Sequence, residues 1–438
     1  MSKFKITTLG CKVNQAESEA IAQNFLSSKW LTAGDMEKAD ICIINTCAVT
    51  KKAAMQSRQA VRRAIRANPS ANIVVTGCYA QTAPQEIESI EGVNYIIGHG
   101  EKHNIGRMIC KTGERARGHA ISIGGDIHKN HPFASMSTAN AAPRTRPSLK
   151  IQDGCDAFCT YCIVPHARGR SRSMPLEEVL TKIEKLAKAG YREVVLTGIH
   201  LGVYGHDLSP NTNLATAMER ITELWPIDRI RLSSIEPHEI TEKIIDQVEK
   251  SGIFCRHFHI PLQSGDPQIL ESMGRLYSPE FFYELINKIH QIMPDAAIGV
   301  DTLIGFPGES NSAFENTYNL IKKLPINYLH VFPFSARPGT KAADLPDKVD
   351  DSIIKERCER LRNLGNDKRK EFYQRFIGQV LPILVETNRE ASTNFLKGIS
   401  SNYVPVLIDA GDNLKNKIVD VKIEKHIGHY MFGTLWRA

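Results

Sequence analysis

At 438 residues, with 42% hydrophobic and 24% charged side chains, the chain is long enough for two to three domains with sizeable apolar cores. No apolar run reaches membrane-spanning length, and Met1-Ser2-Lys3-Phe4-Lys5 leads straight into a strand without the apolar stretch of a signal peptide. A cytoplasmic location with no membrane partner is expected. There the ten cysteines stay reduced and serve as ligands or catalysts rather than bridges. The net charge of +7 suits either a polyanionic partner such as RNA or a plain basic surface.

Residues 1–112 alternate strand and helix. Strands are expected at 4–9, 41–45 and 73–76, followed by Gly10-Cys11, Thr46-Cys47 and Gly77-Cys78. A βαβ series builds an open parallel sheet whose strand C-termini share one edge, where such sheets bind ligands. Three cysteines far apart in sequence therefore converge. Residues 113–145 are rich in Gly, Ser, Ala, Asn and His and end in Ala142-Pro143-Arg144-Thr145-Arg146-Pro147, which reads as an irregular linker.

The β/α rhythm returns over 146–374, with strands expected at 148–152, 193–197, 229–233, 256–260, 297–304 and 327–332. Six units suggest a partial (β/α)6 barrel, whose working residues sit at strand C-termini. A charged helix over 351–374, interrupted near Gly365, closes this unit. Residues 375–438 hold five short strands, at 379–386, 395–399, 403–409, 417–424 and 430–436, which suggest a small closed β-barrel of a kind often used for nucleic acid. The fold class is α/β, with a β-barrel appended.

Cys155, Cys159 and Cys162 form a C-x3-C-x2-C cluster after the first barrel strand. One loop can wrap a metal cluster with these three thiolates and leave a position open. A zinc site is the alternative, with His166 as fourth ligand. Cys11, Cys47 and Cys78, taken alone, read as buried structural cysteines, small hydrophobes of the core. Cys42 reads as core, and Cys110, Cys255 and Cys358 as structural.

Gly154-Cys155-Asp156-Ala157-Phe158-Cys159-Thr160-Tyr161-Cys162 resembles the signature of the radical S-adenosylmethionine (SAM) enzymes. The resemblance implies a [4Fe-4S] cluster on Cys155, Cys159 and Cys162, with SAM chelated at the open iron and cleaved to a 5'-deoxyadenosyl radical. Tyr161 matches a position that packs near the adenine. Cysteines 11, 47 and 78 ahead of that core, and a small barrel after it, resemble the methylthiotransferases over essentially the whole chain. There the first three cysteines hold a second [4Fe-4S] cluster, and the terminal barrel is similar to a TRAM domain, which binds RNA.

Thr8-Leu9-Gly10-Cys11-Lys12-Val13-Asn14-Gln15, Gly77-Cys78-Tyr79-Ala80-Gln81 and Cys159-Thr160-Tyr161-Cys162-Ile163-Val164-Pro165 resemble the subtype acting on threonylcarbamoyladenosine in tRNA. His166 departs from that pattern, where an aromatic Tyr is usual. The implied reaction is methylthiolation at C2 of N6-threonylcarbamoyladenosine beside the anticodon, with SAM as methyl donor and radical source. The alternatives are a methylthiotransferase for isopentenyladenosine or a ribosomal-protein aspartate, or a non-catalytic zinc-containing RNA-binding protein. The sequence identifies neither the sulfur donor nor the electron donor, and no acid or base for the final proton.

The resemblance assigns Thr197, Gly198 and Gly305 to SAM. Ser233, Glu236, Gln263 and Ser264, at barrel-strand ends, are candidates for the same ligand, or plain turn and cap residues. Arg58, Arg62 and Arg66 make a basic stripe on one helix. Arg168, Arg170 and Arg172 alternate beside the cluster loop, where Arg forks suit either the anticodon loop or the substrate carboxylate, and Lys397 and Lys422 lie in the terminal barrel. All eight are candidate RNA contacts or solvated surface.

Overall fold

The computed structural model describes residues 1–34, 37–112, 120–127, 129, 132–135, 144–210 and 212–436; the side chains of 110–112 fall outside that description. The expectation for Cys110, and that for most of the segment 113–145, therefore lie outside the described residues.

Strands β1 (Lys3–Thr8), β2 (Leu31–Thr32), β3 (Ile41–Thr46), β4 (Asn72–Gly77), β5 (Tyr95–Ile97) and β6 (Ile121–Ile123) form one parallel sheet in the order β2-β1-β3-β4-β5-β6. All six positions of β3 are buried, as an apolar strand covered on both faces requires. The strand order reverses between β1 and β3, so a crevice opens beyond their C-terminal ends. Cys11 and Cys47 follow those two strands, and Cys78 follows β4. β5 and β6 are too short to give an alternation signal. β6 corrects the reading of 113–145 as irregular throughout: Ile121–Ile123 pairs with Tyr95–Ile97 at the sheet edge.

Next come β7 (Ser148–Lys150), β8 (Gln152–Asp153), β9 (Arg172–Ser173), β10 (Glu193–Thr197), β11 (Arg229–Leu232), β12 (His257–Gln263), β13 (Ala297–Ile304) and β14 (Tyr328–Pro333). The partial barrel consists of two parallel three-stranded sheets, β7-β10-β11 and β12-β13-β14. A bridge between Ile230 and Phe254, and a 3.1 Å hydrogen bond from Ile235 N to His259 O, join the two halves. Leu149, Val194, Ile230, Phe258 and Ile298 belong to one apolar core beneath the helices.

The helix Asp351–Gln374 runs unbroken for 24 residues, against the expected interruption at Gly365. That glycine is buried, and an added Cβ would lie 3.0 Å from the Cβ of Leu329. Close packing on the barrel, rather than a break, explains it.

The last five strands, β15 (Val380–Arg389), β16 (Leu396–Ser400), β17 (Pro405–Ile408), β18 (Ile418–Ile427) and β19 (Tyr430–Leu435), form a closed barrel in the order β15-β16-β17-β19-β18. It docks on the central barrel through Arg231. This side chain bonds Glu193 Oε1 at 2.8 Å and donates to the carbonyls of Ser400 at 3.1 Å and Ser401 at 2.9 Å.

A buried charged network joins the N-terminal sheet to the central barrel. Arg168 Nη1 bonds Glu17 Oε1 at 2.9 Å and Asp153 Oδ1 at 2.8 Å, while its Nη2 bonds Asn14 Oδ1 at 2.6 Å. Lys102 pairs with Glu17 at 2.5 Å, and Lys150 reaches both Glu17 and Asp153. Burial opposes ionisation of Glu17, but Arg168, Lys102 and Lys150 outweigh it and hold this carboxyl well below its ordinary range. Among the described residues no helix is long and apolar enough to cross a membrane.

Candidate active site

Two groups of three thiols meet at one space, the first of them reaching it through Cys11. Gly10 has φ +98°, and a Cβ there would lie 2.9 Å from Cys47 Sγ, so the turn carrying Cys11 presses directly against Cys47. Cys47 is fixed from behind by Ser57: its N–H donates to Ser57 Oγ at 3.1 Å, and that hydroxyl donates to Cys47 O at 3.1 Å. The second triad rides on the loop after β8. Gly154 takes φ +76° there, and a Cβ would fall 1.9 Å from the Arg170 carbonyl oxygen. Ile163 and Ala167, just past Cys162, pack into the apolar core of the N-terminal sheet with Ile44 and Val75. The loop of one triad is thereby bolted to the sheet that bears the other.

Burial pushes the Cys78 thiol up to about 11 and the Cys162 thiol up to about 12. Thiols in such surroundings ionise on taking up metal, with release of their protons. Two polar groups meet the second triad: His200 Nδ1 lies 3.4 Å from Cys155 Sγ, and Arg275 Nη1 donates to Cys159 Sγ at 3.3 Å. Arg275 also forms an ion pair with Glu236.

A cavity of about 570 Å³ is lined by Cys11, Cys155, Cys159 and Cys162 together. A second cavity of about 230 Å³ adjoins it, sharing Tyr161, Cys162 and Gln263 and adding Leu303, Phe332 and Phe334. Tyr161, which lines both, packs edge-on against Phe306. The thiols suit an iron–sulfur cluster better than one ion. Zinc at about 2.3 Å from each sulfur would draw a triad to about 3.8 Å separations. Among the described residues, however, the one set of three ligand atoms within 4.8 Å is His259, Asp301 and His330. That set is a hydrogen-bonded chain on the cavity side: His259 Nε2 and His330 Nδ1 approach Asp301 Oδ1 at 2.7 and 3.1 Å, and His259 Nδ1 meets Ser234 Oγ at 2.9 Å.

Of the seven residues expected at SAM, Thr197, Gly198, Ser233, Glu236 and Gln263 line the larger cavity. Ser233 Oγ is buried there without a protein partner, a polar atom left for a ligand. Gly198 has a packing reason as well, since a Cβ would lie 2.9 Å from Gln152 Oε1 and 3.2 Å from Leu201 Cα. Ser264 and Gly305 line neither of the two cavities. Ser264 is buried, with its hydroxyl against Thr317 Oγ1 and the Asp266 N–H. Gly305 packs on Ile354 of the long helix, where a Cβ would come within 2.3 Å.

The RNA candidates divide. Arg168 is fully buried and both its terminal nitrogens are taken by Glu17, Asp153 and Asn14, so it cannot touch RNA. Arg172 is tied to Asp153 and to the carbonyls of Arg168 and Arg170. Arg58 donates to Tyr79 and Glu86. Arg62, Arg66, Arg170 and Lys422 are exposed, and Lys397 is half-buried. Lys422 lies 5.6 Å over the Trp436 ring.

Several cavity residues escaped sequence reasoning: Arg275, His257, His259, Tyr328 and His330. His257-Phe258-His259 carried a signal, because alternate strand residues share a face and two polar ones then point into the barrel. Arg275 carried none. Tyr403 comes from the terminal barrel, lines the same cavity and lies tilted against His257, with ring centroids 4.5 Å apart.

A thiol triad at the C-terminal ends of a partial β/α barrel, opening with Cys11 of a second thiol group on one cavity, defines a radical SAM protein with further thiols beside its first centre. Comparison with known proteins agrees. Residues 149–321 match the radical SAM superfamily, and residues 3–98 match the uncharacterized protein family UPF0004. The threonylcarbamoyladenosine tRNA methylthiotransferase MtaB of Bacillus subtilis is 40% identical over 427 residues, covering 97% of this chain and 94% of that protein. The Aquifex aeolicus protein of the same name is 38% identical, covering 90% and 95%. A tRNA-2-methylthio-N(6)-dimethylallyladenosine synthase of Pelotomaculum thermopropionicum is 32% identical, covering 97% and 95%. The fold is shared with the radical SAM methyltransferase TsrM of Kitasatospora setae, at TM-score 0.58, 16% identity and coverage of 78% and 77%. The chain belongs to the tRNA methylthiotransferase family of the radical SAM superfamily.

Proposed function

We propose that this protein methylthiolates C2 of N6-threonylcarbamoyladenosine in tRNA, with two [4Fe-4S] clusters and SAM as cofactors. The observation that carries the reading is the shared cavity, in which Cys11 of one triad faces Cys155, Cys159 and Cys162 of the other. The name and full-length similarity of the 40% identical relative point to the base. The C2–H bond of adenine has no useful acidity, so a general base cannot activate it. Bound at the two triads, the clusters and SAM supply a radical for that bond and a sulfur to replace its hydrogen.

The chain's own residues position and screen. Cys155, Cys159 and Cys162 would hold the SAM-cleaving cluster, and Cys11, Cys47 and Cys78 the other. Arg275 places positive charge on Cys159 while holding Glu236 at the cavity wall, where the second carboxylate oxygen is left for a ribose hydroxyl. Ser233, Gln263 and the backbone at Thr197–Gly198 complete the SAM-facing wall. Leu303, Phe332 and Phe334 give the adjoining cavity an apolar face for a base taken out of its stack. Binding energy from the rest of the tRNA then serves to orient the reacting edge.

Mass spectrometry of digested tRNA from cells with and without the gene tests the reading. Loss of 2-methylthio-threonylcarbamoyladenosine alone is the expected result. Loss of 2-methylthio-isopentenyladenosine instead would keep the chemistry and change the base. No change in either would remove tRNA as the substrate.

A further inference from the structure

We propose that Lys12 is the carboxylate-binding residue of this site and holds the threonyl carboxylate of the N6 substituent. The proposal rests on threonylcarbamoyladenosine as the substrate. Lys12 begins the helix Lys12–Ser27, directly after Cys11, and its side chain is open to the large cavity.

Charge on the cavity wall singles it out. Glu236 is paired with Arg275, and His259 and His330 both face Asp301. Among the described residues Lys12 makes no ion pair and donates no hydrogen bond; Glu193 and Asp301 act on it from beyond contact, and Arg231 and Arg146 repel it. An ammonium that opens on the cavity without a carboxylate of its own has a place for one from a ligand. Threonylcarbamoyladenosine brings a single carboxylate. A lysine recognises it as a point charge and needs no bidentate geometry.

Position agrees with charge. In adenine, the ring nitrogen N1 is bonded to C2 on one side and on the other to C6, which carries N6. A group that grips the N6 substituent must therefore stand close to the C2 edge. Lys12 does so as the immediate neighbour of Cys11, on the wall shared with the second triad. A base with a hydrocarbon on N6 would set apolar atoms against an unpaired ammonium, so the same residue disfavours that base.

The test pairs a change in the protein with a change in the substrate. Reconstituted full-length protein is assayed on anticodon stem-loops carrying N6-threonylcarbamoyladenosine or its methyl ester. Wild type is expected to prefer the free acid by roughly 10- to 100-fold in kcat/KM, the range for one hydrogen bond between charged groups. K12M is expected to bring that ratio close to one, at unchanged iron content, and K12R to restore most of it. An equal acid-to-ester ratio in wild type and K12M overturns the assignment. Should K12M turn over neither stem-loop, equilibrium binding of the two reads the same ratio and decides the matter. A wild type inert on the free acid but active on dimethylallyladenosine overturns the substrate reading itself.

Discussion

The two thiol triads are assembled by opposite routes. Cys155, Cys159 and Cys162 lie on a single loop, so local chain geometry brings them together. Cys11, Cys47 and Cys78 hang from three strands of a parallel sheet, and the topology brings them together. A looped triad survives as long as its loop does. A scattered triad exists only while the sheet, and the sheet's docking on the barrel, are intact.

The sharpest way to separate them is to remove one thiol from each. Cys155→Ala is expected to abolish both 5'-deoxyadenosine and methylthio product while the other triad retains its iron. Cys47→Ala is expected to abolish the product and leave SAM cleavage in place. Iron analysis, visible absorption and chromatography of 5'-deoxyadenosine check both variants. Loss of SAM cleavage in Cys47→Ala would show that the triads work as one unit.

Next in size is the joint between the two regions. Replacing Arg168 with Met leaves Glu17 and Asp153 sharing Lys102 and Lys150 without their central cation. Breaking a buried pair in this way costs about 3–5 kcal/mol, read by urea unfolding. Because Arg168 also anchors Asn14 in the helix after Cys11, iron on the scattered triad should be lost at lower urea than iron on the looped one. Simultaneous release would erase the distinction.

The same network sets an acid limit. The folded pKa of Glu17 lies below its unfolded value, so its contribution is complete above the unfolded value, about 4.3. It falls away as pH drops from there through the folded pKa. Thermal unfolding of wild type is expected to show a steep loss of stability below about pH 4. In Arg168→Met that slope should flatten, because the carboxyl is no longer held down as far.

How much of this was legible in the sequence follows the same division. The looped triad is written in consecutive residues, Cys155 to Cys162. The scattered one is legible through Gly10-Cys11 and Gly77-Cys78, which end β1 and β4 with the same backbone, φ +98° at both glycines. What stayed hidden is what depends on distant partners. Alternation at Arg168, Arg170 and Arg172 suggests an exposed ladder, yet Glu17, 151 positions away, draws Arg168 into the core. Ser264 and Gly305 sit at barrel-strand ends as catalytic residues do, but Thr317 and Ile354 claim them. Tyr403 enters the cavity from the last domain through a left-handed turn at φ +64°, which no strand periodicity encodes.

The smallest expected effect concerns the RNA surface, where the scattered triad's domain and the terminal barrel compete. On the helix Lys51–Ala67, Arg58 is held by Glu86 at 2.8 Å while Arg62 and Arg66 are exposed. On the terminal barrel, Lys422 and Lys425 rest over Trp436 and Phe432 at 5.6 and 5.5 Å. A cation over a ring keeps its outer face free for a phosphate, and the contact with the ring is worth about 0.5–1 kcal/mol. A cation already paired with a carboxylate gains little by exchanging it for phosphate. Arg62→Ala and Lys422→Ala are therefore each expected to reduce the slope of log K against log salt by about 0.7–0.9, as one phosphate contact requires. Arg58→Ala should leave it unchanged. Titrations of tRNA at several salt concentrations measure all three, and a response confined to Lys422 would assign RNA capture to the terminal barrel alone.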